Sequence, residues 1–344
     1  MPRKTRQNDI TSPALLSQVN PENMRLKNDF IAYLQSVQRS PKTIAGYEND
    51  IDIFWVWNLQ HNGNKFFPKI SKRDFAAYQH WLINDNGNSP ARVRRLKSAI
   101  SSMSNYVENI LDDEEEFKGF RSSIKKIENP AMQQVRKKTI WEDEELDTLL
   151  DKLSSNGQHK KACALALAMC SGRRKSELCR FSVDDFKDEN LVCGGALYKT
   201  SEPIQTKGFG LGKYIYCYTL AKKFKPYFDA WMSERESKGI QSKWLFPSAQ
   251  NPDEQMSETT LNSWANTFSR ITGEDFYWHS LRHYFTTHLA KLGLPDNVIQ
   301  DIVGWDSADM VRVYKDISAE EQISQYFDEN GEVKADAKKS PMDL

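Results

Sequence analysis

Between residues 22 and 110, apolar side chains recur at helical spacing in four successive runs, which commits the first third of the chain to packed helices. The first run places Leu26, Phe30, Leu34 and Val37 on one face. The second opens at Ser40-Pro41, a capping serine followed by proline at the first helical position, and carries Ile44, Tyr47, Ile51 and Phe54. The third starts at Ser71, with Asp74 in its first turn, and predicts burial of Phe75, Tyr78 and Leu82 before a turn at Asn86-Gly87-Asn88. The fourth repeats the cap signal at Ser89-Pro90 and runs through Val93, Leu96, Ile100, Met103, Val107 and Ile110. Helices with one apolar stripe bury it against each other, so the spacing predicts a small all-α bundle.

The fourth helix carries a second signal. Arg92, Arg94, Arg95 and Lys97 crowd its first turns, off the apolar stripe. Cations at a helix N-terminus oppose the helix dipole, so local stability does not favour them. A phosphate-facing role compensates, which makes these four the candidate DNA-binding residues. Net charge does not decide the matter: 47 basic and 47 acidic residues cancel to +0. The signs are nevertheless segregated, with basic clusters at 69–73, 92–97, 121–126, 136–138, 173–175 and 222–225. Acidic clusters lie at 112–116, at 142–145 and after Tyr314. Ordinary surface solvation suits any one of these clusters, so charge alone leaves nucleic-acid binding open.

The predicted organisation is a flexible arm over 1–20, the helical bundle over 21–115 and a basic connector over 116–138, where Asn129-Pro130 interrupts any helix. A larger domain follows over 139–327, then a polar, acidic tail over 328–344. In the larger domain Thr139 and Glu142 have capping-box spacing before a helix over 142–153, and a second helix over 160–170 stops at Ser171-Gly172. Segments 191–198 and 213–220 are β-branched or aromatic and read as strands, with a turn at Thr206-Lys207-Gly208-Phe209-Gly210 between them. Helices dominate the remainder. The fold class is therefore mainly α with one small antiparallel sheet. Five scattered cysteines without a CxxC pair point to reduced thiols rather than a disulfide framework. No bilayer-length apolar run or signal-peptide core is present, so a soluble, cytoplasmic protein without membrane partners is expected.

Four short segments of the larger domain carry chemistry. They are Ser171-Gly172-Arg173-Arg174-Lys175-Ser176-Glu177-Leu178, the Thr206-Lys207-Gly208 turn, His279-Ser280-Leu281-Arg282-His283, and Val303-Gly304-Trp305 followed by Val311-Arg312-Val313-Tyr314. Each alone has an ordinary structural explanation. His279, His283 and His288 raise the question of a metal, but no glutamate separates the first two and no cysteine pair is near, so no metal is expected. In this order the four segments resemble the catalytic signature of the tyrosine recombinases of the phage integrase type. That family places an arginine in a G-x-R-x-S-E-L-like segment, a lysine on a β-hairpin, H-x-x-R-H, and G-[HW] shortly before a nucleophilic tyrosine. The matching residues are Arg174, Lys207, His279, Arg282, Trp305 and Tyr314. Arg173 stands where the family usually has an apolar residue, and Lys199 and Lys213 remain alternatives to Lys207.

The resemblance implies a tyrosine-recombinase catalytic domain behind a helical core-DNA-binding domain. It also implies a prokaryotic or phage-encoded enzyme that cuts and rejoins double-stranded DNA at specific core sites, as a homotetramer on paired sites, without a cofactor. Arg174 and Arg282 would stabilise charge on the phosphate, since guanidiniums stay cationic and fit phosphate oxygens. His279 would handle a proton near neutrality, Lys207 would protonate the departing 5′-oxygen, and Trp305 would offer its indole N–H. Tyr314 would hold the 3′-phosphate. A helical face of Ile323, Tyr326 and Phe327 would dock on a neighbouring subunit. Few residues precede the first helix, so recognition without an extra arm-site domain is expected. Two other readings use the same features: a type IB topoisomerase-like enzyme that relaxes DNA, and a non-catalytic DNA-binding protein on the same fold.

Overall fold

In this computed structural model the described residues are 10–131, 140–207, 213–307 and 309–314, without the side chains of Lys207, Arg312 and Val313. The chain divides between Lys137 and Lys138 into two compact units, each with its own core.

Among the described residues, the regular elements of the first unit are all helices. Its main helices are Pro21–Ser36, Pro41–His61, Lys72–His80 and Pro90–Ile110, and Ser40 and Ser89 each accept a backbone N–H in the capping position. Ser71 and Asp74 form a reciprocal capping box: each side chain accepts the other's backbone N–H, at 3.3 and 2.8 Å. The helix Pro41–His61 lies at the centre and is buried on every side over residues 50–58. Phe54 anchors it, with the rings of Trp55, Trp57, Phe75 and Tyr78 at 4.9–5.9 Å. Such a helix leaves no polar face, so its two buried aspartates need partners. Asp52 accepts from buried Lys27 at 2.7 Å, and Asp50 faces Arg92 and Arg95.

The predicted stripes hold except at their ends. Val37 and Ile110 are 44% and 48% exposed, because the chain leaves the helix at those positions and no neighbour covers the last turn. Two boundaries also move. Part of the expected flexible arm is structured: Ser12 caps a short helix, Pro13–Leu16, and Val19 enters the core. The basic connector contributes buried Phe117 and Ile124 to the same core, so its first half is part of the bundle.

The second unit is built around the helix His159–Ser171, in which every residue from Ala162 to Ser171 is buried. Alanines at 162, 164, 166 and 168 keep it thin, and Asp143–Ser155, Ala221–Ser237 and Ser280–Lys291 pack around it. The helix after the connector begins at Asp143, with the Glu142 N–H donating to Glu145; Thr139 lies outside the described residues.

The expected single hairpin is instead two sheets. Segment 191–198 folds back on itself at Cys193-Gly194-Gly195, all three at positive φ, into β1 (Leu191–Val192) and β2 (Leu197–Lys199). Strand β2 also pairs with β5 (Tyr218–Leu220), giving a three-stranded antiparallel sheet in the order β1-β2-β5. Strands β3 (Ile204–Lys207) and β4 (Lys213–Ile215) form a separate antiparallel pair with a bulge at Thr206, so Lys207 ends a strand rather than sitting in the turn. Residues 208–212 lie outside the described residues.

The backbone is specialised at two glycines. Gly172 ends the central helix at φ 59°, and a Cβ there would overlap the ring of Phe285 on the helix Ser280–Lys291. Gly304 ends the helix Asp296–Val303 at φ 73°. For Gly172→Ala, left-handed strain of about 1–2 kcal/mol and overpacking of about 1–3 kcal/mol are expected to add to a loss of about 2–5 kcal/mol. A urea-unfolding midpoint unchanged by this substitution would show that the close approach is dispensable.

Candidate active site

The site lies where two helix C-termini meet the start of a third helix. Arg282, on the first turn of Ser280–Lys291, is fully buried. Its Nη1 donates to the carbonyl of Gly172 at 2.9 Å, and its Nη2 donates to that of Val303 at 3.3 Å. Arg173 is buried beside it, with Nε on the Ser171 carbonyl at 3.2 Å and Nη2 on the Ile302 carbonyl. Each helix end thus gives one carbonyl to each guanidinium, where backbone partial charge is negative. Burial, then the charges of Arg174 and Arg173, pull the Arg282 pKa down to about 9, which still leaves it cationic at neutral pH.

Arg174 is the most open of the three arginines. It caps the short helix Lys175–Leu178, and its Nη1 donates to Glu177 at 2.9 Å. Glu177 is fully buried, and its other oxygen accepts the Arg174 backbone N–H at 3.0 Å. The carboxylate holds both ends of one residue, which fixes the guanidinium without covering it.

Tyr314 closes the site. Its hydroxyl lies 2.7 Å from Nε2 of His279. Its ring stacks on His283 at 4.4 Å and lies 4.8 Å from Trp305. The guanidinium of Arg282 sits 4.8 Å from the Trp305 ring centre and 5.9 Å from that of Tyr314. The Thr287 hydroxyl donates to the Tyr314 carbonyl at 3.4 Å, tying the end of Asp309–Tyr314 to the helix that carries Arg282. Loss of hydration on its inward side, then the charges of Arg282 and Arg174, lowers the His279 pKa, so the imidazole is neutral at pH 7. Trp305 is 6% exposed, and its indole N–H has no acceptor among the described residues. The same holds for Nε of Arg282 and Nη1 of Arg173.

Five of the six residues singled out in the catalytic segments therefore converge. For Lys207 only the backbone is described, directly opposite Lys213 in the β3–β4 pair. The alternative lysines are engaged elsewhere: Lys213 pairs with Asp306 at 2.5 Å, and Lys199 lies over the Tyr216 ring at 4.1 Å.

The catalytic segments match the phage integrase family over residues 140–321, and residues 26–116 match the N-terminal SAM-like domain of phage integrases. The chain belongs to the phage integrase family. Among its relatives is the SPbeta prophage-derived recombinase-like protein YomM of Bacillus subtilis, 28% identical over 81% of this chain and 82% of that protein. Tyrosine recombinase XerA of Pyrococcus horikoshii is 23% identical over 86% of this chain and 90% of its own. The fold is that of the XerH site-specific recombinase bound to its palindromic difH substrate (TM-score 0.62, 17% identity, 82% of this chain and 78% of that one). A lambda integrase tetramer bound to a Holliday junction is similar to the same degree (TM-score 0.60, 17% identity, 85% and 77%). In this integrase-family chain, no described helix is long and apolar enough to cross a membrane.

The proposed DNA-facing cations of the first unit fare differently from one another. Arg95 is exposed, with Nε 3.4 Å from buried Asp50 and its guanidinium 5.0 Å from the Tyr47 ring centre. Arg92 is half-buried and donates to Asp50 at 2.8 Å, and half-buried Arg94 donates twice to the Pro130 carbonyl, at 2.8 and 3.1 Å. Lys97 departs from the expectation. It is 6% exposed and donates to Gln79 and to the carbonyls of Ile127 and Glu128, so its ammonium braces the connector from inside. The dipole penalty argued from sequence is offset, for Arg92 and Arg95, by the Asp50 carboxylate. Sequence reasoning missed Asp50 because its partners lie 42 and 45 positions away along the chain. It missed Glu177's hold on Arg174 despite a visible signal, an acid three residues after the capping position.

The electrostatics give a direct check. The His279 imidazole, followed by NMR, should titrate below the ordinary histidine value of about 6.5. Arg174→Met removes one of the two cations that depress it and should move the midpoint up. A midpoint at or above the ordinary value in the unsubstituted protein contradicts the described field.

Proposed function

We propose that this enzyme cleaves and rejoins DNA at specific sites through a covalent 3′-phosphotyrosine on Tyr314, with side chains alone doing the chemistry. The observation that carries the reading is the Tyr314 hydroxyl 2.7 Å from a histidine nitrogen, beside buried guanidinium and indole donors that lack acceptors among the described residues. A phenol with pKa about 10 is a weak nucleophile at pH 7, so it needs a base or a cationic field, and both are adjacent. His279 takes the phenolic proton as the Tyr314 oxygen attacks phosphorus. The bond from phosphorus to the 5′-oxygen breaks, and Lys207 returns a proton to that oxygen. Arg174, Arg282 and the Trp305 N–H stabilise the extra negative charge on the non-bridging oxygens. The number of phosphoester bonds is unchanged, so a second 5′-hydroxyl rejoins the strand by the reverse step.

Strand exchange needs paired sites, and the partners proposed here are two core-site duplexes held by four copies of the chain. The folds of XerH on its difH substrate and of the lambda integrase tetramer on a Holliday junction support that reading. Ile323, Tyr326 and Phe327, the expected docking face, lie outside the described residues. In the first unit Arg92, Arg94 and Arg95 are the proposed phosphate contacts.

Tyr314→Phe removes one hydroxyl from a ring held on both sides, so the variant should fold and bind DNA while forming no denaturation-resistant adduct. An adduct in that variant would move the nucleophile elsewhere. Tyr284 is a poor substitute, since it is nearly buried, its hydroxyl donates to Asp143, and burial and that carboxylate push its pKa up.

A separate measurement concerns cofactors. With arginines neutralising the phosphate, cleavage by the unsubstituted enzyme should proceed in excess EDTA and without nucleotide. Loss of cleavage under chelation with DNA binding intact would refute an all-side-chain mechanism.

A further inference from the structure

The pair β3–β4 stands apart from the three-stranded sheet. Two strands on their own are marginal in water, so such a pair needs anchoring by its surroundings. On the β3 side, Arg180 donates to the carbonyl of Gln205. On the β4 side the anchor is the turn that carries Trp305. Gly304 leaves a notch there, and the Cδ1 of Ile215 fills it: a Cβ on residue 304 would overlap that methyl group. Two residues on, the Asp306 carboxylate meets Lys213 Nζ at 2.5 Å. Strand β4 is therefore held at both ends, by contacts on either side of Trp305.

The register connects this dock to the proposed general acid. Lys213 is the cross-strand partner of Lys207, and the bulge at Thr206 lies next to that pairing. The Thr206 hydroxyl donates to the Lys213 carbonyl at 3.2 Å, closing the bulged end of the ladder. Bulges re-aim the residues beside them, so a bulged strand end needs an external reference to keep one position. As a stability device the ion pair is poor, because Asp306 is 88% exposed at its side chain and exposed pairs contribute little. As a fix on strand position it is well placed, since it acts on the residue opposite Lys207.

We infer that Ile215, Lys213 and Asp306 are positioning residues that dock β4 on the Trp305 turn and so set the placement of Lys207 for protonating the 5′-oxygen. The inference rests on the reading of Lys207 given above. It predicts that loosening the dock slows only the acid-dependent part of the reaction, and leaves attack by Tyr314 alone.

The experiment compares single-turnover cleavage of two DNA substrates, one with the ordinary 5′-bridging oxygen and one with sulfur in its place. The thiolate leaves without a proton, so the sulfur substrate bypasses the acid. Ile215→Ala empties the notch, and Asp306→Asn removes the ion pair at an exposed position where folding is not at risk. Both variants should cleave ordinary DNA about tenfold to a hundredfold more slowly, the range expected when a catalytic group is displaced by around an ångström. On the sulfur substrate both should come within about twofold of the unsubstituted enzyme, as Lys207→Ala should too if general-acid catalysis alone is lost. The double variant Ile215→Ala, Lys207→Ala should be no slower than Lys207→Ala, since both act on one step. Equal losses on the two substrates, or no loss in either variant, overturn the inference while Lys207→Ala remains rescued. If Lys207→Ala is not rescued by sulfur, or cleaves ordinary DNA normally, the reading of Lys207 itself falls, and the inference with it.

Discussion

A buried guanidinium is costly unless every face of it finds compensation. The second unit meets this demand with two helix ends. Ser171 and Gly172 close one helix, Ile302 and Val303 close another, and their carbonyls hold Arg173 and Arg282. These carbonyls are acceptors that a helix leaves unused at its C-terminus, with the negative end of the dipole behind them. The compensation is partial, because carbonyls carry no net charge. Two cations held this way retain an excess positive field that suits an anionic group, and burial, together with Arg282 and Arg174, depresses the His279 pKa. The rest of the site follows from that geometry: Trp305 comes directly after the second helix end, and Tyr314 packs against both Trp305 and the helix that carries Arg282.

The sequence reveals this unevenly, for physical reasons. Capping chemistry is local, so Ser40, Ser71 and Ser89 mark helix starts that the structure keeps, and Ser171-Gly172 marks a stop. The candidate catalytic residues stood out because their order along the chain resembles a signature, and the fold brings five of the six together. What escaped was non-local or depended on turn geometry. The tight reversal at Cys193-Gly194-Gly195 splits one apparent strand into two, and a non-glycine residue at φ 54° gives no sequence warning. Asp50 and Lys97 illustrate another limit. A charge on a helix reads as surface until its partners are known, and those partners lie in other elements.

The first unit shows what such partners do. Its central helix has no solvent face through its middle, yet it carries Asp50 and Asp52 there. Each aspartate is met by cations from a different helix, so the bundle is pinned by charge as well as by its aromatic core. Arg92 and Arg95 consequently leave the fourth helix already oriented. Less side-chain entropy is then lost when such a group meets a phosphate. Lys97, turned inward among carbonyls, is the exception that braces the connector.

The acceptors around Arg173 and Arg282 are backbone atoms, and this has a consequence for how the chain can change over generations. A substitution at Ser171, Ile302 or Val303 alters a side chain but cannot delete the carbonyl that does the holding. The cradle is therefore indifferent to much of the local alphabet, and its fragility is concentrated at Gly172 and Gly304, which set the direction in which those carbonyls point. A site built this way tolerates drift in the residues that surround its charges, provided that two positions keep the freedom of glycine.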